Sequence, residues 1–308
     1  MNIAPLVAQQ VFIMLVLIIV GFILTKNKII SQAGSKAFSD VLLTIVTPSV
    51  LIRAYQIDFD MSVVKEILLG FALSILTHVV FIALSYLIFR DRKDLYRQKV
   101  RRFTSIYTNC GFMGIPLLAA TLGDKGVVVG STYLAVFNVV VWTQGYYIYC
   151  EDFKLLSFKK LLKNPGVVGT CIALLLFFFR IRIGGVVKDA IGYVADLNTP
   201  LAMMVLGTYL ARSELAKALK NIDIYLISFV RLLLLPVIIL LLFRVIGVNY
   251  DIAICLILPA ACPCAAIAAM FAEKAEMDPG LPSQIVSVTT IVSLATLPLL
   301  AYLASVIL

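Results

Sequence analysis

The sequence predicts an all-α integral membrane protein with ten transmembrane helices. Three observations support this prediction: the composition, the number of long apolar windows, and the distribution of basic residues. The 308-residue chain is 62% hydrophobic and 14% charged, whereas soluble domains are about 45–50% apolar and about 25% charged. Because a soluble core of this size cannot absorb so much apolar surface, we expect much of the chain to face lipid.

Ten windows reach the length of about 20 residues that a helix needs to cross a bilayer. In chain order we predict helices 1 to 10 at 4–25, 36–55, 63–89, 101–121, 126–149, 164–182, 188–211, 222–246, 251–272 and 282–307. The first window follows no basic segment and is followed by no small-residue cleavage site. We therefore expect helix 1 to be retained and not removed as a signal peptide.

Basic residues predict the orientation of these helices. Most of the 26 Lys and Arg residues lie in the loops after helices 1, 3, 5, 7 and 9, and the densest run lies between Arg90 and Arg102. By the positive-inside rule these loops are cytoplasmic, which makes both termini extracytoplasmic. The rule also explains most of the formal net charge of +9, so we expect no binding to nucleic acid.

Glycine and proline interrupt helices 4 and 9. One interruption, at 109–116, reads NCGFMGIP, and the other, at 259–264, reads PAACPC. Each break leaves backbone groups without partners, and such groups are tolerated at membrane depth only inside protein or beside a cavity. Paired breaks in the two halves of a membrane chain indicate the substrate site of a secondary transporter.

An internal repeat supports the same interpretation. Helix 2 contains Pro48 after a threonine, and helix 7 contains Pro200 after a threonine. Sliding the chain until these prolines coincide also brings Pro263 onto Gly111. We therefore predict a single domain, 1–308, made of two five-helix repeats at about 1–150 and about 151–308. Because five is odd, the second repeat is inverted in the membrane.

The motif at 109–116 resembles the crossover motif of bacterial members of the auxin efflux carrier family. The resemblance covers the whole chain and includes Asn164-Pro165 at the start of helix 6. It implies the fold of bile-acid symporters and sodium/proton antiporters, with a scaffold of helices 1, 2, 6 and 7. Helices 3–5 and 8–10 would form a moving core in which helices 4 and 9 cross.

The resemblance also bears on the substrate. Plant members export the auxin anion, and bacterial members are associated with malate and other organic acids. The plant exporters have an Asn-Pro motif at both crossovers, whereas this chain has Cys262-Pro263-Cys264 at the second. This departure puts auxin-like aromatic substrates in doubt more than it does the fold.

Both breaks favour an anionic ligand. Proline suits the first position of a helix, so Pro116 and Pro263 are expected to begin half-helices whose positive ends face the cavity. Asn109 adds an amide that either contacts the substrate or satisfies the freed carbonyls of its own helix. The candidate substrate-binding residues are Asn109, Cys110, Gly111, Gly114, Pro116, Cys262 and Pro263.

Three ionisable residues inside predicted helices are candidates for coupling or gating. Asp196 and Arg231 lie near the middle of helices 7 and 8, where they either pair with each other or form a gate. His78, the single histidine, either carries a proton or packs as a hydrogen-bonded neutral ring.

The Cys-Pro-Cys segment also resembles the copper site of metal-pumping ATPases, where thiolates bind Cu(I). Because the chain has no room for the large cytoplasmic domains of those pumps, we predict that these cysteines pack or line a cavity. No metal site, cofactor or disulfide framework is predicted. The sequence offers no catalytic set either, so we do not expect an enzyme.

Together these observations predict a carrier of small organic anions in the cell membrane. Transport would be secondary active or facilitated, by alternating access, with substrate at the crossover of helices 4 and 9. The alternatives are a sodium-coupled symporter of the bile-acid type and a non-transporting sensor or channel. Few carboxylates lie near the crossover to hold sodium, which favours proton coupling over sodium. The oligomeric state stays open, a homodimer included.

Overall fold

The computed structural model describes residues 3–90, 94–150 and 164–308, and these residues form helices joined by short connections. One isolated antiparallel bridge joins Thr108 and Cys264. The helices are α1 (Ala4–Lys26), α2 (Gln32–Val41), α3 (Thr47–Ala54), α4 (Met61–Ile88), α5 (Leu95–Ile106), α6 (Ile115–Val140), α7 (Tyr146–Cys150), α8 (Pro165–Phe178), α9 (Gly185–Asp196), α10 (Asn198–Arg212), α11 (Leu215–Ala218), α12 (Ile222–Phe229), α13 (Leu235–Val245), α14 (Tyr250–Ala261), α15 (Ile267–Lys274) and α16 (Gly280–Ile307). Arg92 and Lys93 of the basic loop lie outside the described residues. The predicted repeat boundary at 150–151 lies at their edge.

Seven helical segments of the described chain are long and apolar enough to cross a membrane. They are Ala4–Lys26, Gln32–Ala54, Met61–Ile88, Cys110–Tyr149, Gly185–Arg212, Ile222–Val245 and Gly280–Ile307. Pro165–Phe178 and Tyr250–Ala260 are shorter apolar helices. The prediction of an all-helical membrane protein is confirmed, and all ten predicted windows contain helix. That ten helices cross the membrane as an inverted repeat stays a prediction.

Two of the predicted boundaries can be compared with the backbone in detail. Predicted helices 4 and 5 are separated at Gly123, where α6 leaves the helical conformation between the two predicted windows. Gly123 has φ 64° and ψ −159°, a conformation that only glycine adopts easily. Predicted helix 7 is divided at Leu197 into α9 and α10. Pro200 explains this division, since it cannot donate to the carbonyl of Asp196 four residues earlier.

Prolines inside three apolar segments are accommodated by a wider helical turn. A π-helical turn ends two residues before each of them, at Leu42–Val46 for Pro48, Cys110–Gly114 for Pro116 and Val230–Leu234 for Pro236. In each case the residue before the proline donates to the carbonyl five residues back. The wider turn compensates for the donor that proline lacks and for the steric conflict with its ring, so the helix continues through the proline.

Small residues bring one group of helices close together. A Cβ atom on Gly207 of α10 would lie 2.1 Å from the carbonyl oxygen of Ile18 in α1. Reciprocally, a Cβ atom on Gly21 of α1 would lie 2.2 Å from the carbonyl oxygen of Met204 in α10. Helix α3 also packs against α8 and α9. Small residues are the usual means by which membrane helices reach such close contact.

A second group of helices packs around α6. Helices α4 and α14 contact α6, and α16 contacts α12 and α14. A Cβ atom on Gly130 of α6 would lie 3.1 Å from the carbonyl oxygen of Cys255 in α14. The Tyr55 hydroxyl, just after α3, lies 2.9 Å from the Ser131 hydroxyl of α6 and links the two groups.

Gly207→Ala is expected to destabilise the protein by about 1–3 kcal/mol, as overpacking of a tight contact does. The added methyl group would force α1 and α10 apart, which thermal unfolding of the purified protein would record as a lower midpoint. Gly192→Ala is the matched control, because nothing lies within 4 Å of a Cβ atom at that helical position. Equal midpoints for the two variants would contradict the close contact.

Candidate functional site

The two predicted breaks lie against each other and pair their backbone groups. The amide of Asn109 donates to the carbonyl of Pro263 over 2.7 Å, and the amide of Ala265 donates to the carbonyl of Tyr107 over 2.9 Å. The amide of Cys264 donates to the Thr289 hydroxyl of α16 over 3.2 Å. Each break therefore satisfies one donor and one acceptor that the other leaves free, as burial away from water requires.

The new helical segments do not begin where the prolines predicted. After the first break, helical structure restarts at Cys110, so Asn109 and not Pro116 occupies the capping position. After the second break, α15 begins at Ile267, and Pro263 lies in the extended segment before it. Proline at the start of a helix is a preference only. Here the pairing between the two breaks sets where each helix ends, and the π-helical turn allows Pro116 to lie inside.

Arg231 joins the ends of the two helices that lead into the breaks. Its side chain is fully buried on the π-helical turn Val230–Leu234. One terminal nitrogen donates to the carbonyls of Ser105 (2.9 Å) and Ile106 (3.2 Å) at the end of α5. The other donates to the carbonyl of Ala260 at the end of α14. A positive charge at two helix C-termini is favourable because the last carbonyls carry partial negative charge.

Arg231 has no acidic counterpart in this arrangement. Among residues 3–90, 94–150 and 164–308, no carboxylate lies within ion-pairing distance of its guanidinium. The guanidinium carbon of Arg231 lies over the Phe81 ring, 4.8 Å from the ring centroid, in cation–π geometry. The buried charge is thus held by carbonyl oxygens and an aromatic face.

Several buried polar atoms around the breaks find no partner in the described part of the chain. They are the Asn109 amide nitrogen, His78 Nε2 and Arg231 Nε, and the hydroxyls of Thr108 and Tyr133 lie within reach of each other beside them. The rings of His78 and Tyr133 lie 4.7 Å apart between centroids. Buried polar groups are nearly always hydrogen-bonded in folded proteins. A cluster of unpaired ones indicates a place where a ligand or water binds.

Among the residues that the structure describes, His78 finds a hydrogen-bond partner for one ring nitrogen only. Its Nδ1 lies 2.8 Å from the carbonyl oxygen of Ser74, which makes Nδ1 the protonated nitrogen of the neutral ring. Nε2 is then a buried acceptor that faces the unpaired cluster.

The other predicted site residues pack closely around the breaks. Cys110 and Cys262 are fully buried, and the Cys262 thiol donates to the carbonyl of Leu258 in its own helix. A Cβ atom on Gly114 would lie 3.1 Å from Pro259 of α14, whereas one on Gly111 would meet only a Leu134 methyl group at 3.6 Å. Pro116 is buried beside them. A side chain at position 114 would thus press on Pro259, so Gly114 favours the close approach of α6 and α14.

The cysteines of the second break form no recognisable metal site. No group of three or more His, Cys, Asp or Glu side chains that could hold a metal ion occurs within the described ranges. The Cys264 thiol donates to the carbonyl of Thr104 over 3.0 Å. This bond links the second break to the end of α5.

Asp196 contacts Arg53 and not Arg231. Its Oδ1 lies 2.6 Å from Arg53 Nη1, and the Asp196 side chain is 68% exposed. The two residues predicted to pair therefore lie apart, since Arg231 is fully buried against carbonyl oxygens. The division of predicted helix 7 at Leu197 places Asp196 at the end of α9, where it reaches the side chain on α3.

Sequence reasoning missed Arg53 as the partner of Asp196, Tyr133 beside the breaks, and Asn198, whose buried amide has no partner in the described chain. Arg53 lies one residue from the end of α3, so in the sequence it contributed only to the count of basic residues that predicts the orientation of the helices. Tyr133 is one of 13 tyrosines, and no local pattern distinguishes it. Asn198, next to Thr199-Pro200, could have been found from the break that the proline predicts.

Long apolar helices, with two interrupted helices paired at their breaks, define a multi-pass membrane protein of the transporter class. Comparison with known families identifies it further. Residues 6–156 and 152–301 each match the model of one family, described as membrane transport protein. The chain belongs to this family, which is the auxin efflux carrier family that the motif at 109–116 resembles.

Two curated relatives support this assignment. The chain is 25% identical over 302 residues to an uncharacterized transporter from Methanothermobacter thermautotrophicus, covering 94% of this chain and 96% of the relative. It is 22% identical over 223 residues to an uncharacterized transporter from Methanocaldococcus jannaschii, covering 67% and 69%.

Arg231→Met is expected to lower the free energy of unfolding by about 3 kcal/mol, because charge-assisted hydrogen bonds are lost and buried carbonyls are left unpaired. Arg231→Lys should recover part of this loss, since it keeps the charge. The measurement is thermal unfolding in detergent. Arg244→Met, at an exposed position near the end of α13, is the control. A midpoint for Arg231→Met equal to that of the control would show that the carbonyl contacts do not stabilise the fold.

Proposed function

We propose that the protein is an alternating-access carrier of small organic anions such as malate-like carboxylates. The substrate would bind where the breaks after α5 and α14 meet. One observation carries the proposal: the Asn109 side chain is 5% exposed, and its amide nitrogen has no partner in the described chain. A buried donor without a partner is costly unless a ligand or water occupies it.

The backbone around Asn109 favours a negative ligand. The main-chain oxygen of Asn109 is the first helical acceptor, and it accepts from the amides of Met113 (3.0 Å) and Gly114 (3.3 Å). The three amides before them, those of Cys110, Gly111 and Phe112, therefore have no acceptor within the helix. A helix N-terminus of this kind attracts carboxylates through its free donors and its dipole. Together with the Asn109 amide it would hold one carboxylate group.

The position of Arg231 argues against the sodium-coupled alternative. Sodium would be held mainly by oxygen atoms, and the freed carbonyls at the ends of α5 and α14 are natural ligands for it. Those of Ser105, Ile106 and Ala260 already accept from Arg231. The chain thus supplies its own cation to these carbonyls, and we propose transport without sodium.

The proposed mechanism divides the helices into a scaffold and a moving core. The predicted scaffold comprises α1, α2, α3, α8, α9 and α10, within which Gly21 and Gly207 allow close contact. The predicted core comprises α4–α7 and α12–α16, which includes both breaks. The two bodies pack against each other through α1 with α16 and α3 with α6, and the hydroxyl pair Tyr55–Ser131 adds a hydrogen bond between them. The core would have to slide along this interface as the carrier changes state.

Proton coupling of this carrier would involve His78. The unpaired Nε2 acceptor beside Tyr133 can take up a proton without losing the bond from Nδ1 to Ser74. Arg231 already places one positive charge in the same cluster and repels a second one on His78. The proton would therefore enter together with the anion, whose negative charge offsets this repulsion.

Asn109→Ala is expected to weaken carboxylate binding about tenfold or more, the equivalent of one hydrogen bond to a charged group. Purified protein in liposomes would be preloaded with malate, lactate or indole-acetate and tested for counterflow of the radiolabelled acid. Counterflow detects electroneutral exchange as well as charge movement. Saturable counterflow of one acid, with a raised half-saturation concentration in Asn109→Ala, is the expected result.

Asn249→Ser is the matched control, because Asn249 is exposed and caps α14 through a bond to the Asp251 amide that serine can replace. Flux that rises linearly with concentration would contradict a carrier and favour a channel. Binding without flux would favour a sensor.

Replacing sodium with choline on both sides of the liposome is expected to leave the initial rate of counterflow unchanged. The reason is that Arg231 already satisfies the carbonyls that would hold sodium. A rate that falls to background in choline and saturates with added sodium would establish the symporter alternative instead.

A further inference from the structure

A cavity of about 200 Å³ lies between α3, the start of α6 and the junction of α9 with α10. Its wall includes Arg53 from α3, Ala119 from α6, and Asp196 and Asn198 from the junction. Since liquid water occupies about 30 Å³ per molecule, the cavity has room for several waters or for a small carboxylate. It is separate from the cluster around Arg231, and the crossover site does not use these side chains.

Asn198 is the observation that points to a ligand. Its side chain is 4% exposed, and neither its amide nitrogen nor its amide oxygen has a hydrogen-bond partner within the described part of the chain. An amide buried with every hydrogen-bonding atom unpaired is costly. Asn198 lines the cavity, and its two amide atoms lie just beneath the cavity surface, so a rotation of this side chain would bring them to an occupant.

The charges around the cavity favour an anionic occupant. Arg53 contributes a guanidinium that is 34% exposed and bonded to Asp196 through Nη1. The 15-residue helix α10 begins at Asn198, so its positive end is at the cavity wall. Asp196 is the opposing charge, and its side chain is 68% exposed. An incoming carboxylate can therefore replace Asp196 on Arg53 while the exposed Asp196 side chain turns away from the cavity.

We propose that this cavity is a second carboxylate-binding site in which the ligand displaces Asp196 from Arg53 and accepts a hydrogen bond from Asn198. Guanidinium pairs well with carboxylates because its fork donates two parallel bonds. Exchange of one carboxylate for another keeps the charge of Arg53 paired throughout.

Ala119 lies on α6, three residues beyond Pro116, about 4.5 Å along the helix axis. The cavity thus adjoins the half-helix that begins at the first break. Its use as a waypoint for transported anions rests on the proposed function, whereas binding at the cavity does not. By the positive-inside rule, this site lies on the outer half of the path, since α3 leads into an extracytoplasmic loop.

The test measures binding of malate and of lactate by calorimetry in an Asn109→Ala background, which removes the crossover donor. We expect saturable binding to remain. Arg53→Gln should weaken it about tenfold, and Asn198→Ala should weaken it as well. Malamide, which resembles malate without its charge, should not bind. If Arg53→Gln fails to fold, Arg53→Lys serves instead, because it keeps the charge but loses the planar fork.

Asp196→Asn gives the sharpest outcome. By removing the competing carboxylate it should tighten binding about tenfold, and this gain should vanish in the double variant Asp196→Asn/Arg53→Gln. Asp189→Asn, which removes the same charge from an exposed position on α9, should change nothing. Weaker binding in Asp196→Asn, or no saturable binding of either acid, would overturn the proposal. Binding without any flux in the unaltered protein would leave the site standing and refute the carrier.

Discussion

Buried backbone groups must be paired, and at the centre of this molecule two distant segments meet that requirement together. The amide of Asn109 needs the carbonyl of Pro263, and the amide of Ala265 needs the carbonyl of Tyr107. Neither segment has an internal substitute, because a broken helix cannot supply its own bonds. The two halves of the chain therefore have to come together before either break is stable. The site is, for this reason, a product of the contact between the halves.

Arg231 extends the same constraint to the helix ends. Carbonyls at the ends of α5 and α14 accept from one guanidinium, so a single side chain fixes the distance between two helices and offsets their dipoles. Its burial without a carboxylate is costly in isolation. The contacts with carbonyl oxygens and with the ring of Phe81 compensate for part of that cost. The substrate site that we propose at Asn109 would lie beside this fixed charge.

Much of the fold could be predicted from the sequence, because hydrophobicity over about 20 residues and the positions of proline and glycine act locally. The helices in all ten windows and the places of both breaks follow from such local signals. The starts of the new helices after the breaks do not, since they depend on pairing between residues 109 and 263. Likewise the partner of Asp196 depends on how α9 leans on α3, and no residue spacing encodes that geometry.

The fixed charge of Arg231 has an electrical consequence for the proposed transport cycle. A core that carries a monovalent anion such as lactate beside Arg231, with His78 neutral, has no net charge at the site, whereas the empty core carries one positive charge. A membrane potential acts with about 2.3 kcal/mol per charge per 100 mV over the full thickness. In such a cycle the voltage would work on the return of the empty protein and leave the loaded step almost untouched. The resting potential would then set the direction in which unoccupied sites accumulate, and so the face on which the carrier waits for its substrate.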